Sequence, residues 1–438
     1  MIEFNGKYTN AKVMIDEIDN TTAAQITEFI NHKAFTNPVA IMPDCHAGKG
    51  AVIGFTMELG DKVIPNTIGV DIGCGMKSFN VGKRLFESIG REQLDEWIRA
   101  CVPFGTSVRS KVSDEYSSSD FFPLVNKRLA KMRNEFQERY DYHVPPITLD
   151  EQEFKDMCKV IEVDYDRAMR SIGTLGGGNH FIEVGKSEET GDYWITIHCG
   201  SRNLGKCVAD FWQRQARLKC NAPLISKQEW TEQVKVRCEK TDWAREIARY
   251  QEIYGCNKVP RGTEYLEGLD MYMYLCHMIV AQTYADINRH VIMLEILEVL
   301  DLRVGGVLPI DIIDSVHNLI DFDDWTIRKG SIRSYEGERM VIPFNMEDGL
   351  LFCEGKSNAE WNNSAPHGAG RLFSRSHAKK VLNLADAKRD MEKAGVYSSN
   401  IPLDEVKDAY KDPAIIEACI EPTATIIDRV KPVLNMKD

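Results

Sequence analysis

The chain has no Cys-x-x-Cys pair, no Gly-x-x-x-x-Gly-Lys-Ser/Thr loop and no Gly-x-Gly-x-x-Gly turn. The first absence argues against a zinc ribbon, although twelve cysteines are spread over the 438 residues. The other two exclude the commonest phosphate- and dinucleotide-binding loops. A long apolar run is also missing. The most apolar stretch, 271–285, is interrupted by Tyr, Cys, His, Gln and Thr and is shorter than a membrane span requires. The first twenty residues are polar and acidic and lack the apolar centre of a secretory signal. Positive charge is in deficit, with 54 Lys+Arg against 66 Asp+Glu and a net charge of −12. That balance excludes a protein that grips nucleic acid over its whole surface, while leaving room for a local basic cleft. We therefore expect a cytoplasmic protein with no membrane partner, whose thiols are buried rather than paired in disulfides.

What is present reads as globular: 43% hydrophobic and 27% charged residues. Five glycine-rich clusters occur at 44–54, 69–75, 173–183, 198–205 and 367–370. β-prone runs at 39–42 and 193–198 each lead into a loop with a His. Apolar residues at three-to-four spacing predict helices over 91–100, 124–140, 151–170, 228–253, 266–300 and 371–393. The Ser-rich stretch 107–121 predicts an exposed loop. The clusters do not separate into two sets along the chain. The expected fold is therefore one large α+β domain whose strand-end loops converge on one site. The alternative is a two-domain chain with a boundary near 255–262.

Each cluster has a chemical and a plain reading. In Ile68-Gly-Val-Asp-Ile-Gly-Cys-Gly-Met76, a glycine turn can aim the hard carboxylate of Asp71 and the soft thiol of Cys74 at one spot. A tight turn with a capping Asp and a core Cys would look the same. In Gly173-Thr-Leu-Gly-Gly-Gly-Asn-His-Phe-Ile-Glu183, three glycines offer backbone to a phosphate or base edge, and Asn179 and Glu183 offer polar groups to a sugar or guanine. In Ile197-His-Cys-Gly-Ser-Arg202, His198 suits a metal, and Arg202 suits a phosphate through its two-pronged guanidinium. His317 precedes Asn318, and a basic run carries Arg328 and Lys329, which are either solvated or phosphate contacts. The densest block runs from Asn362 to Lys380. A helix expected to begin near Arg371 would place His367 in the loop at its N-terminus, where the helix dipole favours an anion. A neutral imidazole there can attack a phosphorus and hold it as a phosphoramidate. His377 reads as a helix-face residue. His180, His198, His317, His367, Asp71 and Cys74 all sit in or beside such loops, which is hard to explain by packing alone. Ligand chemistry leaves the metal open: His and Cys suit zinc, while Asp and phosphate oxygens suit manganese or magnesium.

The blocks MPDCHAGKGAVIG, IGVDIGCGM, GTLGGGNHFIE, IHCGSRNLG, HNLID, RKGSI and HGAGRLFSR together resemble those of the RtcB family of GTP- and manganese-dependent RNA ligases. The resemblance implies a single RtcB-like domain over 1–438, with helical insertions around 104–170 and 206–300 and a dinuclear metal site. It implies joining of RNA 3′-phosphate or 2′,3′-cyclic phosphate ends to 5′-hydroxyl ends, in RNA repair or tRNA splicing, with archease as a candidate activating partner. Two Mn2+ ions would be held by Asp71, Cys74, His180, His198 and His317. His367 would be the catalytic residue that carries covalent GMP. The GTP site it implies takes in Asn179, His180, Phe181, Ile182 and Glu183, with His317 and Asn318. Pro343, Phe344, Asn345, Met346 and Leu350 follow, then His367, Gly368, Ala369 and Gly370, and finally Tyr410 and Lys437. Phe344, Asn345 and Leu350 depart from the small or hydroxylic residues the family has there. The chain ends Lys437-Asp438 instead of Lys-Gly, and Cys199 replaces a Ser. Arg202, Arg328, Lys329, Arg371 and Arg375 are the expected RNA phosphate contacts. The rival readings are a metal-dependent cyclic phosphodiesterase that opens ends without sealing them, and an inactive RNA-binding homologue.

Overall fold

Short runs of β-branched and aromatic residues, punctuated by glycine turns, pair into two large sheets in the computed structural model. It describes residues 1–221, 226–250, 259–306 and 308–438. One sheet has six strands in the order Ile2–Asn5, Asn10–Val13, Val39–His46, Ile53–Glu58, Thr326–Lys329, Asn318–Asp321. The other has seven: Ile312–Val316, Gly75–Gly82, Tyr193–Cys199, Phe181–Ser187, Ala424–Met436, Leu350–Gly355, Arg339–Pro343. Neighbours are antiparallel throughout the second sheet, and one pair in the first, Asn10–Val13 with Val39–His46, is parallel. The chain passes from the seven-stranded sheet to the six-stranded one between Val316 and Asn318, so His317 sits at the crossing.

The centre of the molecule is the helix Gly268–Val304, 37 residues long. Tyr274, Ile279, Tyr284, Ile292 and Ile296 on it are all fully buried, which is why its apolar residues show no single stripe. The helices Ser118–Tyr140 and Arg202–Cys220 pack on it. One apolar core joins these helices to the six-stranded sheet, and a second lies against the seven-stranded sheet. No helix among the described residues is long and apolar enough to cross a membrane.

The α+β class holds, and the helix bounds are corrected in several places. Residues 118–121 of the expected Ser-rich loop already belong to Ser118–Tyr140. The segment 151–170 breaks at Glu162, which adopts a left-handed φ of 61°, and a new helix starts at Tyr165 because Asp164 caps it. The segment 228–253 divides into Lys227–Arg237 and Trp243–Ala248, and its last three residues lie outside the described residues. Residues 255–258 of the alternative domain boundary lie outside them too. The segment 371–393 is two helices, Arg375–Val381 and Leu384–Ala394, started by the caps Ser374 and Asn383. His367 is therefore not at a helix N-terminus. Arg202–Cys220 is absent from the helices that periodicity predicts, because its first turn carries the glycine-loop sequence Arg-Asn-Leu-Gly, although residues 206–220 fall within the helical insertion the resemblance implies.

Candidate active site

Strand pairing gathers the metal-type side chains. Val316 pairs with Gly75, Gly75 with Cys199, and Phe181 with His198. Four adjacent strands therefore meet at one edge of the sheet, and the residues just before or after them share that edge. These are Asp71 and Cys74 ahead of Gly75, His180 ahead of Phe181, His198 at its strand end, and His317 after Val316. Cys74 Sγ lies 3.2 Å from His198 Nε2 and 3.6 Å from His180 Nε2. His198 Nε2 and His317 Nε2 are 3.3 Å apart, and His180 Nε2 is 2.8 Å from Asp71 Oδ2. Two overlapping donor groups result, Cys74 with His198 and His317, and Asp71 with Cys74 and His180, and within each the donor atoms lie within 4.8 Å of one another.

The surroundings prepare these donors. His180 Nδ1 faces the Leu175 carbonyl at 2.9 Å and His198 Nδ1 the Asn179 carbonyl at 3.2 Å. Those contacts turn both Nε2 atoms to the cluster, as an outer partner does for a metal-binding imidazole. Burial, reinforced by neighbouring imidazoles, pushes His198 and His317 well below the ordinary range, so both rings are neutral donors. Burial pushes the Cys74 thiol up to about 12. Burial opposes charge on His180, but Cys199 and the Asp71 carboxylate outweigh it and hold its ring protonated. Asp71 Oδ1 and His317 Nδ1 are buried without a hydrogen-bond partner. Soft and hard donors around shared Cys74, with unsatisfied buried atoms, fit divalent cations.

Beside this cluster opens a cavity of about 290 Å3. His367 lines it, its ring 5.0 Å from that of His317. His367 Nδ1 donates to Asp44 Oδ2 at 2.5 Å, and its backbone N–H reaches the same oxygen at 3.3 Å. Asp44 is fully buried in Val39–His46. This bond leaves Nε2 as the imidazole's free nitrogen. At another wall, burial raises Glu183 to about 8 against the pull of Asn435 and Lys437, so it is a neutral acid near pH 7 and able to donate. Asn435 donates to its Oε2 at 2.7 Å, while Oε1 has no partner. Glu405 is the hub of a buried ion network. Lys437 donates to it at 2.7 Å, Tyr410 at 2.8 Å and Arg371 at 3.2 Å, and Arg375 also contacts it. Burial would raise Glu405, but Lys437, Arg375 and Arg371 outweigh it and hold its carboxyl at about 2.

Most of the expected nucleotide contacts line this cavity: Asn179, Phe181, Glu183, His317 and Asn318 on one side, and Tyr410 and Lys437 on another. Pro343, Phe344, Asn345, Met346 and Leu350 line it too, as do His367, Gly368, Ala369 and Gly370. Asn345 is also a turn cap, accepting from the N–H groups of Glu347 and Asp348 at 2.9 and 3.0 Å. Two contacts are corrected. Ile182 is fully buried in the core behind the sheet, because strand neighbours point to opposite faces. His180 belongs to the metal-type cluster and does not line the cavity.

The basic residues divide. Arg371 and Arg375 line the cavity. Arg202 lies beside the cluster but spends its guanidinium on Thr174 Oγ1 at 3.0 Å and the carbonyls of Leu175 and Gly105 at 3.3 and 2.8 Å. Arg328 and Lys329 are corrected: both lie on the buried strand Thr326–Lys329. Arg328 is fully buried between Asp321 and Asp324, and the Lys329 ammonium donates to the carbonyls of Lys49, Ala51 and Asn66. Both side chains are buried there. Asp44, Glu405 and Asn435 were missed. Asp44 stands in MPDCH, but nothing local to that block reveals its partner 323 residues away.

The site thus combines buried imidazoles, a thiol and a carboxylate that could hold a metal with an adjoining cavity lined by a carboxylate-held histidine. Residues 25–438 match the family described as tRNA-splicing ligase RtcB, and the chain belongs to that family. It is 26% identical over 422 residues to the RNA-splicing ligase RtcB of Escherichia coli (strain K12), covering 91% of this chain and 90% of that protein. It is 26% identical over 434 residues to the tRNA-splicing ligase RtcB of Archaeoglobus fulgidus, covering 85% and 81%. The Nanoarchaeum equitans tRNA-splicing ligase RtcB is 25% identical over 467 residues, covering 91% and 88%.

Proposed function

We propose that the protein is a cytoplasmic RNA ligase that uses GTP and two Mn2+ ions to join RNA 3′-phosphate or 2′,3′-cyclic phosphate ends to 5′-hydroxyl ends. His367 would carry GMP between the two halves of the reaction. The observation that carries the reading is the Asp44–His367 pair opening on a cavity beside Cys74, His198 and His317. Asp44 holds the Nδ1 proton and so keeps the Nε2 lone pair available. Nε2 forms a bond to the α-phosphorus of GTP, the bond from that phosphorus to the bridging oxygen breaks, and pyrophosphate leaves. The imidazole gains positive charge in this step, and the buried Asp44 carboxylate stabilises it. A cyclic end is first hydrolysed by water to the 3′-phosphate. GMP then passes from His367 to the RNA 3′-phosphate, and the 5′-hydroxyl attacks that phosphorus and displaces GMP. Cys74, His198 and His317 would hold one ion, and Asp71, Cys74 and His180 the other. When bound, the ions neutralise charge on the phosphoryl oxygens. Glu183, Tyr410 and Lys437 would bind the base, and Arg371 and Arg375 the RNA or nucleotide phosphates. Archease is a candidate activator.

The test is protein incubated with α-labelled GTP and Mn2+. The label should survive alkali and be lost in acid, as a phosphorus–nitrogen bond requires. His367→Ala should abolish it and His377→Ala should keep it. Label that persists in His367→Ala, or wild-type protein that opens cyclic phosphates without ever labelling, overturns the ligase reading in favour of hydrolysis.

A further inference from the structure

Behind the metal-type cluster, two consecutive residues of the helix Gly268–Val304 are fully buried and polar: Asn288 and Arg289. Asn288 Oδ1 accepts from the backbone N–H of Gly173 at 2.8 Å and of Thr174 at 3.3 Å. Its Nδ2 donates to the Thr174 carbonyl at 3.3 Å, to Cys199 Sγ at 3.1 Å and to the Gly200 carbonyl at 3.1 Å. Arg289 Nη1 donates to the carbonyls of Gly73 at 2.6 Å and Cys199 at 3.0 Å, and Nη2 to Asp286 at 2.6 Å. Its Nε lies 3.8 Å from Asp314, on the strand that leads to His317.

Apart from the bond to Asp286 on the same helix, each of these contacts falls on a segment that delivers a cluster side chain. Gly73 precedes Cys74. Cys199 and Gly200 follow His198. Thr174 precedes Leu175, whose carbonyl orients His180. The packing there leaves no slack. A Cβ on Gly73 would come within 2.9 Å of Ala285 Cβ on the same helix, and a Cβ on Gly200 within 2.3 Å of Asp71 Oδ1.

We propose that Asn288 and Arg289 are positioning residues that lock the Cys74, His180, His198 and His317 segments into one metal-ready arrangement. The inference rests on the proposed metal site and adds the device that organises it. Stability alone does not call for an arginine here. A buried ion pair is often matched or bettered by an apolar side chain of similar volume, so registry is what the charged fork supplies. An apolar residue can fill the space but cannot hold two carbonyls from different segments of the chain.

The test measures Mn2+ binding by calorimetry on full-length protein, without GTP or RNA, in wild type, Arg289→Lys, Arg289→Met and Asn288→Leu. Melting temperature is recorded for each, together with the thiolate-to-cobalt absorption of the Co2+ form. We expect Mn2+ affinity to fall about 10–100-fold in Arg289→Met and Asn288→Leu, the range for partners that orient ligands. The thiolate band should weaken with it, and Arg289→Lys should recover part of both. Unchanged Mn2+ affinity and an unchanged thiolate band, in any variant whose melting temperature stays within about 5 °C of wild type, overturn the inference. If the methionine variant does not fold, Arg289→Lys decides by the same criterion. Wild-type protein that binds no divalent ion overturns the proposed metal site itself, an outcome separate from metal-binding wild type with indifferent variants.

Discussion

At one end of the cavity Cys74, His198 and His317 are buried and neutral, with His317 Nδ1 left without a partner. At the other end Glu405 is buried and ionised, and Lys437, Tyr410, Arg371 and Arg375 saturate it. The first end holds buried donor atoms with no hydrogen-bond partner within the protein. The second has its carboxylate already engaged by cations. An unmatched set of buried donors costs free energy that a bound cation returns. A matched network is stable by itself and holds a fixed shape for a ligand. On the proposed reading, the second end is built from protein groups alone, whereas the first would be completed by a bound cation.

The largest effect should come from the residue that joins the two ends. Asp44→Asn keeps the size of the side chain but removes the charge that stabilises a cationic His367. We expect the rate of GMP transfer from GTP to fall roughly 100- to 10,000-fold, the range for a positioned proton-handling partner. Quenched labelling time courses would measure it, with Mn2+ binding unchanged. An undiminished rate would show that the pair is incidental.

Next in size is the matched end. Glu405→Gln leaves buried cations under-compensated and should cost about 3 kcal/mol of stability, measured by denaturant unfolding. Because the folded carboxyl is held at about 2, below its unfolded value near 4.3, its contribution is complete above about pH 4.3 and is lost as pH falls towards 2. Wild type should therefore lose stability over that window more steeply than Glu405→Gln. Parallel pH curves for the two proteins would contradict the network.

The unmatched end also gains as pH rises, but over a higher window. Burial keeps a proton on Cys74 up to about 12, and Asp71 and Cys199 help keep one on His180. A cation must displace these protons, so metal affinity should rise with pH, by up to about tenfold per unit for each proton released. Titrations in buffers of different ionisation heat would count them. Affinity that is flat with pH would mean the thiol is not a ligand.

The smallest effect separates two pairs of cations that look alike in sequence. Arg375→Ala should lower the salt slope of RNA binding by about one unit. Arg328 is locked between Asp321 and Asp324, so a folded variant with lysine there should leave the slope as it is.

Much of the site is legible along the chain because its chemistry is local. A glycine turn with Asp71 and Cys74, a histidine at a strand end and the block around His367 announce themselves by residue type and spacing. The α+β class followed from the alternation of short β-prone runs with helical periodicity. What a linear reading cannot supply is the identity of partners distant in sequence. Asp44 reaches His367 across 323 residues, and Arg289 reaches Gly73 across 216. The strand pairs Val316–Gly75 and Gly75–Cys199 bring the donors to one edge. Burial also reverses local expectation. RKGSI reads as an exposed basic loop, yet Thr326–Lys329 lies in the middle of a sheet. Residue chemistry was thus decided by the sequence itself, since a thiol or an imidazole is the same group wherever it stands. Protonation state, orientation and availability were decided by tertiary structure alone, because they depend on which charges and carbonyls the fold brings within a few ångströms and on how much water it excludes.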